Sequence, residues 1–247
     1  MSSISLKFKL TLSAILIGVV LLVAQALSQF YFLRGELTQR IENEQFTLLS
    51  ELAKHLDNEF NERLLALDQA SQTIPADKLN NIAEIEAHLR REAALLTFFD
   101  DLYIFDANGI LLVDWPAKPG RRQLDMSERD YIKGVQKTLK PLVSQPVLGK
   151  ATKQPIIVLA APLLDHNGKL RAIMGGVLNL QKSNLIGSLN NRKVGQNGYF
   201  YMVSNDWQIV SHPDKSRLMQ QAPSPMENPA LAKAREGFEG TIEGVNS

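Results

Sequence analysis

The chain has four histidines, His55, His88, His166 and His212, and no cysteine. A histidine that ligates zinc or moves protons needs a second group at a defined spacing or within hydrogen-bond reach. His55 and His88 fall in helical stretches with no second ligand at zinc spacing. His166 sits in a turn, and His212 precedes Pro213 at a strand end. No G-x-S-x-G elbow, H-E-x-x-H pair or phosphate loop occurs. Gly175 and Gly176 interrupt an apolar strand pattern, where glycine marks close packing rather than a phosphate cradle. The absence of cysteine removes thiol nucleophiles, disulfides and Cys-ligated metals. These residues predict a chain that is not an enzyme and has neither metal nor cofactor; any catalytic output would lie beyond residue 247.

Binding and placement are what remain. A net charge of +1 over 247 residues argues against nucleic acid, which needs a strongly basic face. The run Leu10–Leu33 carries no charged side chain. At about 1.5 Å of rise per residue it is long enough to cross a hydrocarbon core roughly 30 Å thick. Lys7 and Lys9 precede it and Phe30, Tyr31 and Phe32 close it, the flanks expected of a span with a cytoplasmic N-terminus. A cleaved signal peptide is the competing reading, since Ala24, Gln25 and Ala26 form a small-residue cleavage pattern. Either reading exports the remainder of the chain.

Any site must be positioned by the elements downstream of that run. Leu37, Ile41, Leu48, Leu52, Leu56, Phe60, Leu64 and Leu67 recur at spacings of three, four or seven, which predicts a long amphipathic helix over 35–74, stopped by Ile74 and Pro75. Such a stripe suits packing against the chain's own domain, a homodimer seam, or both. A second helix is expected from Asp77, carrying Leu79, Ile82, Ile85, Leu89 and Leu96. A hairpin follows, Leu102–Phe105 and Ile110–Trp115 around a turn in which Asn108 and Gly109 tolerate positive φ. Beyond a basic, Gly- and Pro-containing loop at 116–123 come a short helix from Ser127 to about Leu139 and strands at 142–148, 156–163 and 170–180. Gln181–Asn191 reads as a connecting helix. Strands at 199–203 and 208–211, a helix at 230–235 and a strand at 238–243 then repeat the earlier order in part. The fold class expected is α+β: a transmembrane helix, a long amphipathic helix and two antiparallel-sheet modules, the second incomplete because two outer strands and one return strand would leave open edges.

Arg129, Asp130 and Tyr131 opening the short helix, "VSQP" on the next strand, Pro162 before the Asp165–Gly168 turn and Gly175–Leu180 on the strand after it resemble the membrane-distal half of a double Cache sensor domain. "GYFYMVSNDWQIVSHPD" resembles the start of the membrane-proximal half. The resemblance implies two PAS-like modules outside a bacterial inner membrane, the distal one (75–180) binding a small solute and the proximal one (192–247) cut short, with 1–9 as a cytoplasmic tail and 181–191 as the connector. It implies a cytoplasmic output of chemoreceptor, histidine kinase or diguanylate cyclase type. An anchored adhesion or assembly module and a secreted solute-binding protein are the alternatives.

By position in that family, Asp114, Trp115, Arg129, Tyr131 and Ser144 face one ligand region. Arg129 offers a bidentate partner for a carboxylate, and Tyr131 a ring and a hydroxyl. The competing reading pairs Arg129 with Asp125 or Asp130 on the surface and places Tyr131 in the core. Members that bind amino acids carry an Arg and a Trp just before this Tyr and an acid on the last distal strand. Here those places read Glu128, Asp130 and Asn179. An uncharged Asn179 weakens any grip on a ligand cation, so a carboxylate or other small polar metabolite is expected in place of an amino acid.

Overall fold

The protein is described by a computed structural model covering residues 6–75, 78–79, 81–195, 198–224 and 226–242. It divides into two units, Met1–Leu52 with Phe238–Ser247, and Ala53–Gly237. Helix α1 (Leu6–Gln72) belongs to both. In the first unit its large apolar side chains over 15–33 are exposed, Leu22 by 68% and Phe32 by 74%. Mean hydropathy reaches 2.0 there, and this is the one helix, among the described residues, long and apolar enough to cross a membrane.

The second unit is built on an antiparallel sheet in the order β2-β1-β6-β5-β3, with β4 also paired to β5. Its strands are β1 (Asp101–Asp106), β2 (Leu111–Trp115), β3 (Leu142–Val143), β4 (Val147–Leu148), β5 (Pro155–Leu164) and β6 (Leu170–Asn179). Side chains alternate between its two faces. Leu102, Ile104, Leu159, Ala161 and Met174 face the end of α1 and helix α2 (Ile82–Arg91), where Leu67, Ala70, Ile85 and Leu89 complete the core. Tyr103, Phe105, Val158, Ile173 and Val177 face the other way, toward helix α3 (Asp130–Thr138), whose Tyr131, Ile132 and Val135 cover that side. Gly176 lies on the α1 side, where a Cβ would stand 2.5 Å from the ring of Phe99, so the glycine is what admits the ring.

Several expected elements take a different form. The Asp106–Gly109 turn closes through Asp106 Oδ1, which accepts from the amides of Asn108 and Ile110 at 2.9 and 2.8 Å; only Gly109 takes a positive φ, 94°. Helix α2 begins at Ile82, capped by Asn81, and Asp77 lies outside the described residues. The strand expected over 142–148 is split into β3 and β4, with Ser144, Gln145 and Pro146 between them. The connecting helix at 181–191 does not form. Asn184 Oδ1 accepts from the amides of Ile186 and Gly187 and its Nδ2 donates to Asp100 at 2.8 Å, local bonds that compete with helix, leaving turns and a 3₁₀ segment at Gly187–Asn191.

Strand β7 (Lys193–Val194) pairs with β8 (Gly198–Tyr199). The hairpin expected around Asn205 forms in shortened form as β9 (Met202–Val203) paired with β10 (Ile209–Ser211), Tyr199 lying in β8 and not in the hairpin. Helix α4 (Pro229–Arg235) is capped by Asn228. No strand forms over 238–242, and Glu243 lies outside the described residues.

Candidate functional site

The two faces of the sheet differ in kind at one end. On the α3 side, Asp101, Tyr103 and Asp114 lie together, because Tyr103 pairs in register with Asp114 and Asp101 stands two residues before Tyr103 on the same face. The loop after β2 folds back over them. Arg121, only 4% exposed, donates from Nη2 to Asp101 at 3.0 Å, and its Nη1 lies 3.8 Å from Asp114. Its guanidinium also sits 5.3 Å from the centre of the Tyr103 ring. Lys118 donates from Nζ to Asp101 at 2.9 Å and from its backbone amide to Asp114 at 2.8 Å. Arg122 bridges Asp114 at 3.3 Å and Glu86 at 2.8 Å. Burial works against the charge of Arg121, yet Asp101 and its neighbours outweigh that and hold its pKa above the ordinary value.

Above this network lies a hollow. The cavity proper is about 20 Å³, within about 380 Å³ of free space counted out to the open mouth. Its floor carries Tyr103, Arg121 and Tyr131, its walls are Leu111, Met126 and Ile156, and its rim carries Arg129 and the turn from Gly149 to Thr152. Burial pushes the Tyr131 hydroxyl up to about 12, tempered by Arg129, and raises that of Tyr103 as well. At neutral pH both hydroxyls are therefore protonated, and neither has a hydrogen-bond partner among the described residues. The rim is tied across the mouth by two bonds to backbone carbonyls. Arg129 donates to Leu148 O at 2.7 Å and Lys150 donates to Asp125 O.

The expected site residues divide along these lines. Arg129 and Tyr131 both line the hollow, and Tyr131 also belongs to the buried cluster behind it. Neither of the surface ion pairs considered for Arg129, with Asp125 or Asp130, is among its contacts. Asp114 lies beneath the floor, fully buried, and reaches the hollow only through Arg121. The expectation that Trp115 faces the same region does not hold. One residue on from Asp114, it pairs in register with Leu102, packs on the opposite face and lies 4.8 Å beneath the Arg90 guanidinium.

Ser144 also lies outside the lining. Its hydroxyl donates to Gln145 O and accepts from the Val158 amide, fastening the irregular segment between β3 and β4 to β5. Asn179 is on the α3 side but outside the lining as well, with Nδ2 donating to Gln154 at 2.6 Å and Oδ1 accepting from the Gln181 amide at 2.9 Å. Sequence reasoning missed Arg121. It lies in a loop with no periodicity, and the only signal for it was the basic character of 116–123.

An antiparallel sheet with a long N-terminal helix on one face and a short helix and loops on the other is the architecture of Cache-type ligand-binding modules among solved structures. The chain belongs to that family: its Cache domain model matches residues 33–246. Among curated proteins the chain is similar to the methyl-accepting chemotaxis protein PctB of Pseudomonas aeruginosa, 23% identical over 218 residues, with 87% of this chain and 34% of that protein covered. It is similar also to the methyl-accepting chemotaxis protein PscA of Pseudomonas syringae pv. tomato, 23% identical over 237 residues, with 94% and 36% covered. The chain thus spans about a third of the length of these relatives.

Among solved structures, the ligand-binding domain of the Pseudomonas fluorescens chemoreceptor CtaA in complex with L-isoleucine matches with a TM-score of 0.62 and 27% identity, covering 76% of this chain and 75% of that one. The ligand-binding domain of PctB in complex with L-Arg matches with a TM-score of 0.58 and 23% identity, covering 70% and 65%.

Proposed function

We propose that this chain is the ligand-sensing part of a membrane-anchored receptor, with the hollow between the first sheet and α3 as its solute site. The single observation that carries this is the hollow's construction: apolar walls, two protonated tyrosine hydroxyls and a buried guanidinium converge on one open space. Residues 10–33 serve as the span, residues 75–180 as the solute-binding module and residues 192–247 as part of a second module, with the sensor on the periplasmic side of a bacterial inner membrane. The output is of chemoreceptor type, the reading favoured by the chemotaxis proteins the chain resembles. The solute is a small molecule bearing a carboxylate, a group common to the L-isoleucine and L-Arg in the structures of similar chemoreceptor domains.

A thermal-unfolding screen of the full chain in lipid nanodiscs, against organic acids, amino acids, amines, purines and sugars, tests the site. A native-state binder present at about 100 times its Kd stabilises by roughly 2.7 kcal/mol and raises Tm accordingly. A Tm rise that Tyr131→Ala abolishes supports the reading; unchanged curves across the panel contradict it.

The relay is assigned to α1, one uninterrupted helix from Leu6 to Gln72. Inserting one residue near Glu44 rotates the helix face by roughly 100°. In the receptor joined to its output, that insertion is expected to disrupt signalling; unaltered signalling removes α1 from the path.

A further inference from the structure

The floor of the hollow holds an unused donor. Arg121 is 95% buried at its side chain and its Nη1 has no hydrogen-bond partner, although Nη2 is held by Asp101. The carboxylate facing Nη1, that of Asp114, stays 3.8 Å away. A buried charged donor without a hydrogen-bonded acceptor carries a desolvation cost that most proteins avoid, and Arg121 is among the residues lining the hollow proposed as the solute site.

Charge points the same way. The network beneath the floor joins three carboxylates, Glu86, Asp101 and Asp114, to four cations, Arg90, Lys118, Arg121 and Arg122, leaving one positive charge in excess. Arg129, at the rim, is tied to a neutral backbone carbonyl, so its charge adds to the excess, whereas Lys150, bonded to Asp125 O, lies near enough to the Asp125 carboxylate to help hold its pKa down. Three cations line the hollow, and no acidic side chain does. Asp101 and Asp114 both face Arg121, and neither is among the lining residues. Asn179 is uncharged, and both ends of its amide are already engaged.

An ammonium group entering this space would meet cations and find no anion among the lining residues, a mismatch that weakens binding at a desolvated contact. A carboxylate would find Arg121 Nη1, the Tyr103 and Tyr131 hydroxyls and a compensating field. We propose that, resting on the reading of this hollow as the solute site, Arg121 selects organic acids that lack an amino group. The ligand is an anion with an apolar body, its carboxylate on Arg121 Nη1 and its hydrocarbon against Leu111, Met126 and Ile156. Its charge balances the excess that the sheet and loops have built in. A hollow with only about 20 Å³ of enclosed room does not admit such a ligand unchanged, so entry exchanges the Arg129 bond to Leu148 O for one to the ligand.

Three probes with one branched skeleton separate the groups: 4-methylpentanoate (acid only), L-leucine (acid and amine) and 3-methylbutylamine (amine only). Each is titrated calorimetrically into the full chain in lipid nanodiscs. The acid is expected to bind at least about tenfold more tightly than L-leucine, and the amine not at all, a tenfold ratio being the smallest that a charge mismatch should leave. Arg121→Lys keeps the charge but loses the planar donor pair, and is expected to cut acid affinity by about tenfold or more. Should that variant fail to fold, Tyr131→Phe supplies the second reading, with a several-fold loss for the acid alone. Equal or tighter binding of L-leucine, abolished by Tyr131→Ala, overturns the selectivity and keeps the site. No binding by any probe, or by propanoate or benzoate, at about 10 mM overturns both, since that concentration exposes even a millimolar Kd.

Discussion

The two faces of the first sheet are made from the same strands and do different work. Toward α1 and α2 the face is dry: Leu67, Leu89, Leu102 and Met174 are fully buried, and Phe99 fits over Gly176. Toward α3 half the face is equally apolar, around Phe105 and Ile132, and the other half gives way to Asp101, Asp114, Arg121 and an open hollow. The pair Asp114 and Trp115 shows the divide most sharply. Neighbours in sequence, they belong to opposite faces because strand side chains alternate. One face is packed apolar core, and the other carries buried charges beside an open hollow.

That contrast can be broken from either side. The largest expected effect lies beneath the hollow. Asp101→Ala removes the carboxylate bonded to both Arg121 and Lys118 and leaves Arg121 only the more distant Asp114, and removing one partner of a buried ion pair costs about 3–5 kcal/mol. Denaturant titration should show that loss, together with weakened solute binding. On the dry face, Leu67→Ala leaves a cavity and should cost about 2–5 kcal/mol. Solute affinity measured below the lowered Tm should stay at the wild-type value; a parallel loss of affinity would mean that the two faces are not separable. Trp115→Ala makes the same point where sequence position placed a ligand contact. It removes packing under Arg90 and should lower Tm while leaving affinity unchanged within about twofold.

Tyr131→Phe is the converse. Its hydroxyl has no partner among the described residues, so stability should change by less than about 0.5 kcal/mol. Affinity should fall by about two- to tenfold, the worth of one hydrogen bond.

The smallest effect is one of pH. Burial, partly offset by Glu92 and reinforced by Arg91, lowers the pKa of His88 below its ordinary 6.5, and Thr73 Oγ1 lies 2.8 Å from its Nε2. The unfolded chain therefore binds more protons than the native one below that value. The contribution is complete above pH 6.5 and is lost as pH falls through the lowered folded value. Between pH 7 and pH 5, Tm should fall less in His88→Gln than in the wild type. An identical slope in both would remove His88 from the account.

Much of the fold was legible because strands and hairpins announce themselves locally. The alternation in β1, β5 and β6 and the Gly109 turn follow from side-chain period and backbone freedom. The Cache resemblance named the region around Arg129 and Tyr131 for the same reason, since both sit at the start of a short amphipathic helix. What escaped depends on register and on tertiary bonds. Trp115 faces away through strand parity, and Ser144 is committed to the Val158 amide. Residues 181–191 had the composition of a helix, but Asn184 and Asp100 hold them in turns. Arg121 was hidden because only the folding of the loop back onto Asp101 and Tyr103 gives it a role, and no local pattern encodes that.

The most direct test of the hollow as the solute site is amide hydrogen exchange of the full chain in nanodiscs, with and without the tightest-binding solute of the panel at saturation. Protection is expected over 121–131 and 147–152, the floor and rim, with no change over 82–91 on the dry face. Protection confined to 182–195 and 198–224, with 121–131 and 147–152 unaltered, would place the solute elsewhere and contradict the account.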